Sequence, residues 1–68
     1  MNYAKSKIMG TGKEFFTVIH LSNILGVDQT TVRRYIYDKK LKSQRIYRVH
    51  LIKRSDILNF LELYNYYS

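Results

Sequence analysis

Gln29, Arg33 and Tyr37 recur at i, i+4 and i+8, and Thr30 and Arg34 form the adjoining line. On a helix such residues share a face. A glutamine amide pairs bidentately with an adenine edge, and a guanidinium pairs with a guanine edge. Threonine suits a phosphate or a thymine methyl. Side chains of these types in this order can read base edges; they do not form or break bonds. We expect Gln29, Thr30 and Arg33 at base edges and Arg34 on a base or a phosphate. Thr31 and Tyr37 are expected at the sugar–phosphate backbone. One correct bidentate pair is worth about 1–3 kcal/mol of discrimination.

Cations follow directly along the chain. Lys39, Lys40, Lys42, Arg45 and Arg48 are expected to neutralise phosphates, with Arg45 or Arg48 entering the minor groove. Tyr47 either reaches a phosphate or packs on its own hairpin. Lys53 and Arg54 are expected to anchor the backbone. The 68 residues carry 12 Lys and Arg against 5 Asp and Glu, a net charge of +7. Gln29 to Arg54 alone holds nine cationic side chains against one acid, Asp38, a net of +8. A field this one-sided favours a polyanionic partner. A face kept basic for solubility would have the charge without the helix-face spacing.

Other chemistries lack their parts. There is no cysteine, so neither a disulfide nor a thiolate metal site is expected. His20 and His50 lie far apart with no carboxylate at metal-ligand spacing, which fits ordinary histidines and no cofactor. No serine or threonine has a visible base and orienter. Tyr64, Tyr66 and Tyr67 suggest a recombinase nucleophile, but that chemistry needs a larger Arg and His constellation than 68 residues offer. They read better as core closure plus a partner-contact tail. We expect no enzyme. No apolar run approaches 18 residues and no signal-peptide core opens the chain, so a cytoplasmic, nucleoid-associated protein is expected.

The elements that must hold these side chains are legible in the same stretch. Val18, Leu21 and Leu25 recur at i, i+3 and i+7, then Val32, Tyr35 and Ile36 at i, i+3 and i+4. Gly26 separates the runs. Val27 can plug the angle between them, and Ser22 is small where they approach. Thr17 and Asp28 stand at the two N-cap positions. This is the spacing of a helix-turn-helix, whose second helix enters the major groove. The helices are expected to run to about Leu25 and from Gln29 to Asp38. Glu14-Phe15-Phe16 reads as an extended entry with one Phe buried. Leu41–Ile46 and Val49–Ile52 read as two strands of a wing joined near Tyr47-Arg48. Ser55 is expected to cap a last helix with Ile57, Leu58, Leu61 and Tyr64 inward. The expected fold is mainly α with a small β-hairpin, a winged helix-turn-helix of three helices and a two-stranded wing. Residues 1–13 are expected to be a flexible basic arm, 14–64 the domain and 65–68 an aromatic tail.

Residues 15–62 resemble the small winged-helix domains of the phage excisionase and MerR-like superfamily. The resemblance rests on Thr17 opening the first helix, the Leu25-Gly26-Val27 turn and the Val32-Arg33-Arg34 helix. It also rests on Leu41 opening a basic hairpin and on Ile52-Lys53-Arg54-Ser55-Asp56 entering the last helix. Three departures stand out. His20 replaces the usual acid, Lys39 the glycine after the second helix, and the hairpin tip has no glycine. The dimerisation helix and effector domain of MerR-type regulators are not among these residues. The resemblance therefore implies an excisionase-like DNA binder that assembles as adjacent copies, bends double-stranded DNA and assists an integrase. A small phage or plasmid transcriptional regulator is the alternative, and a module inhibiting a host protein a further one.

Overall fold

The computed structural model describes residues 3–64, and seven elements follow one another within them. They are α1 (Tyr3–Gly10), β1 (Phe15–Thr17), α2 (Val18–Leu25), α3 (Gln29–Tyr37), β2 (Gln44–Ile46), β3 (Val49–Lys53) and α4 (Arg54–Leu63).

The α2–α3 unit forms as its residue types require. Thr17 is extended and its Oγ1 accepts from the His20 N–H at 3.2 Å, satisfying one of the orphan donors at the start of α2. Leu21 and Leu25 face inward. At the other end Gly26 takes φ 71°, a left-handed conformation that a Cβ disfavours. Its N–H donates to the Ser22 carbonyl at 2.9 Å, and the Val27 N–H donates to the same oxygen at 3.1 Å. The chain thereby turns sharply into α3. Ser22 is buried, and its hydroxyl donates to the Ile19 carbonyl at 2.8 Å; among the described residues no buried side-chain polar atom lacks a partner. Asp28 occupies the N-cap position of α3 without a side-chain capping bond. Its contribution there is the favourable charge at the positive end of the helix. Val32 is fully buried, with Tyr35 and Ile36 packed beside it.

α3 closes on a residue that is not glycine. Lys39 has φ 65°. Its N–H donates to the Ile36 carbonyl at 3.1 Å, and the Lys40 N–H donates to the Tyr35 carbonyl at 2.9 Å. This is the paired closure known as the Schellman motif, and Lys39 holds the place that glycine usually takes. The sequence departure at this position is thus a left-handed lysine, not a different turn. Leu41 follows and is buried in the core.

Four differences from the sequence reading have physical causes. First, the flexible arm expected over residues 1–13 is helical from Tyr3 to Gly10, giving four helices rather than three. Ala4 and Ile8, one turn apart, are fully buried and dock α1 on the same core as α2 and α4. Thr11 ends it by donating its hydroxyl to the Ile8 carbonyl at 2.8 Å. Second, the expected two-stranded wing is part of a three-stranded antiparallel sheet in the order β1-β3-β2. Phe16 stands opposite Ile52, both buried, and fixes the register. Phe15 is the exposed partner of the pair. Third, the first hairpin strand covers Gln44–Ile46 only, because Leu41 leaves the strand path for the core. Fourth, α4 begins at Arg54, with Lys53 at its N-cap, so Ser55 lies inside the helix rather than capping it. The Arg54 N–H donates to the Glu14 carbonyl at 2.8 Å, which ends the strand and starts the helix at one point. Ile57, Phe60 and Leu61 form the inward stripe of α4. Tyr64 is exposed, with its ring 5.3 Å from that of Phe60. The aromatic tail, residues 65–68, lies outside the described residues.

Candidate nucleic-acid interface

Because Val32 is drawn into the core, α3 must turn its cationic sides outward. Thr30, Arg33, Arg34 and Tyr37 are exposed, and Gln29 and Thr31 are partly so. Gln29 and Arg33 meet: the Arg33 guanidinium donates to the Gln29 amide oxygen at 3.4 Å. The contact is long and exposed, and it leaves most of the five guanidinium donors uncommitted. Tyr37, one turn further, stands edge-on to His50 at 6.2 Å. His50 is fixed in turn by Ser43, whose hydroxyl lies 3.0 Å from the ring Nδ1. The Gln29–Arg33–Tyr37 line therefore runs beside the β2–β3 hairpin.

The hairpin carries its own cations to the same place. Ile46 pairs with Val49, so Tyr47 and Arg48 form a two-residue turn. Arg33 and Arg48 line one open concavity of about 270 Å³, together with Ile19, Val49 and His50. Arg45, Tyr47 and Arg48 are exposed. Tyr47 has φ 58° and is 94 % exposed, so of the two sequence alternatives the packed hairpin aromatic is overturned: the ring covers nothing. Its left-handed backbone explains why glycine would be expected at this tip.

The remaining cations fall in two groups. Lys39, Lys40 and Lys42 are exposed between α3 and β2. The Lys40 ammonium lies 5.8 Å from the centre of the Tyr64 ring. Lys53 is exposed at the end of β3. Arg54 differs from the others. Its guanidinium donates to a Glu14 carboxylate oxygen at 2.8 Å, and its backbone joins the same residue. That pairing ties β1 to α4 and leaves Arg54 less available to a phosphate than sequence alone suggested.

Sequence reasoning passed over Ile19 and Val49, which are more than half and half exposed beside Arg33. The only signal for Ile19 was its place off the α2 apolar stripe. Lys13 was also passed over, and its ammonium donates to His20 Nδ1 at 3.2 Å. Among the described residues, no group of three His, Cys, Asp or Glu side chains could hold a metal ion. No described helix is long and apolar enough to cross a membrane.

A family model described as a helix-turn-helix domain matches residues 15–62, more than two thirds of the chain. Its span begins at β1 and ends within α4. No curated protein and no solved structure matches the chain.

Proposed function

The chain belongs to the helix-turn-helix domain family, and from that premise we propose that it is a sequence-specific binder of double-stranded DNA. The observation that carries this reading is the outward face of α3, where Thr30, Arg33 and Arg34 are exposed and Gln29 is partly so, while Val32 is buried. In this reading α3 lies in the major groove, and the Gln29 amide and Arg33 guanidinium meet base edges. Thr31, Tyr37, Lys39, Lys40, Lys42, Arg45, Arg48 and Lys53 meet the backbone. The β2–β3 hairpin acts as a wing, and its concavity with α3 follows the strand that separates the two grooves.

The biological role proposed is that of an excisionase, or recombination directionality factor, of a phage or mobile element. It rests on the Ile52-Lys53-Arg54-Ser55-Asp56 entry to α4. One copy offers few contacts, so adjacent copies on DNA would raise occupancy through effective concentration. An integrase is the proposed protein partner, and the bacterial cytoplasm the proposed setting.

Selection of bound sequences from random duplex DNA, followed by titration against salt, tests the reading. A single enriched motif and a steep fall of affinity with salt are expected. A protein that enriches no motif at any ionic strength would refute it. Motif copies repeated in tandem beside an attachment site support the excisionase role. A lone copy at a promoter supports a regulator instead.

A further inference from the structure

Tyr47 is the most exposed large apolar side chain among the described residues, and its backbone is left-handed at φ 58°. An L-residue with a Cβ is strained there, and glycine would not be. The ring gains nothing from the protein in return, since 94 % of the residue faces solvent. A strained backbone with an unsupported side chain marks a residue held for contact with something else. Lys39 shares the left-handed conformation, but there two hydrogen bonds to α3 hold it within a helix closure.

The surroundings of Tyr47 say what that contact is. Its neighbours Ile46 and Val49 are cross-strand partners, each about half-exposed, so the last strand pair before the turn also presents apolar surface. Arg45 and Arg48, both exposed, flank it with charge. Arg48 shares a concavity with Arg33 of the reading helix. The tip is thus an aromatic ring on a stiff two-residue turn, carried to a polyanion by cations, on the side where α3 would grip the duplex.

We infer that Tyr47 is a wedge that inserts its ring at a base step of the minor groove next to the α3 site, unstacking that step and kinking the duplex. Apolar side chains presented in this way kink DNA toward the major groove. The inference rests on the proposed DNA binding. A tyrosine ring stacks on any base face and so adds affinity without demanding one sequence.

The test uses the full chain and its selected duplex, with 2-aminopurine placed in turn at each step flanking the α3 site. Wild type should brighten the probe at one step, as unstacking relieves its quenching. Tyr47→Gly should unfold at a higher temperature than wild type, because the strain is gone. The same variant should bind about tenfold more weakly and leave every probe dark. Tyr47→Phe should bind and brighten like wild type. Equal binding by Tyr47→Gly, or a dark probe with wild type at every step, overturns the wedge and leaves DNA binding standing. Loss of binding in Tyr47→Phe assigns the contact to the hydroxyl and also overturns the wedge. Failure of wild type to bind any duplex overturns both the wedge and the reading on which it rests.

Discussion

Gln29 and Arg33 hold each other one turn apart, and the consequence lies in what each can exchange on binding. Their 3.4 Å hydrogen bond is exposed and weak in water, so a guanine edge can replace it at little cost. Arg33→Lys keeps the charge and loses the fork geometry. We expect it to bind mixed-sequence DNA with the same salt dependence as wild type. Its discrimination at one base pair should fall by about 1–3 kcal/mol. Binding assays on the selected motif and its single-base variants check this, and an unchanged preference would move the reading face elsewhere. Lys42 is the contrasting case. It is exposed, single-pointed and off α3. Lys42→Ala should weaken all duplexes about equally and lower the salt slope by roughly 0.9. Salt titration of the two variants side by side separates reading from neutralisation.

At the scale of elements, the closure of α3 offers a direct stability test. Lys39 sits at φ 65° within a complete hydrogen-bonded closure, so glycine can replace it without moving the backbone. Lys39→Gly is expected to raise stability by about 1 kcal/mol in urea denaturation. A β-branched Lys39→Val should lower it. The same position illustrates which elements were legible. Thr17, Gly26, Asp28 and Val32 signal α2 and α3 because caps, turns and helical periods are local chemistry. The strand pair β1–β3 has no such signal. Phe15 and Lys53 become partners across most of the domain, and only the burial of Phe16 against Ile52 selects them. The start of α4 was misread for the same reason. The Arg54 N–H finds its acceptor on Glu14, far back in the chain, and a local cap at Ser55 was never needed. In the candidate site, the outward face of α3 was legible from its period. The shared concavity of Arg33 and Arg48 was not, since it depends on where the sheet carries the hairpin.

For the whole molecule, α1 decides how the unit holds together. A chain of this length buries little surface, so its margin of stability is small. Ile8 and Ala4 are among the most completely buried side chains described, although the residues between and beside them, Tyr3, Lys5, Ser6, Lys7 and Met9, give no clear apolar period. Two anchors one turn apart make a docked helix but a faint periodic signal, which is why a basic arm was expected. Because α1 is part of the core, Ile8→Ala removes buried methyl and methylene groups from it. The expected loss is about 2–4 kcal/mol, a large share of the total for so small a domain. Ser6→Ala, on the exposed side of the same helix, should change stability by no more than about 0.5 kcal/mol. Urea denaturation of both variants, read by far-ultraviolet circular dichroism, tests the difference. A mobile arm would give two indistinguishable curves. A docked helix gives a cooperative transition displaced to much lower urea for Ile8→Ala alone. Because α1 packs on α2, whose carboxyl end turns into α3, the displaced variant should also lose DNA affinity as its folded fraction falls. Excess duplex should restore part of the lost midpoint. That recovery would tie the amino-terminal helix, through the core it completes, to the face that α3 presents.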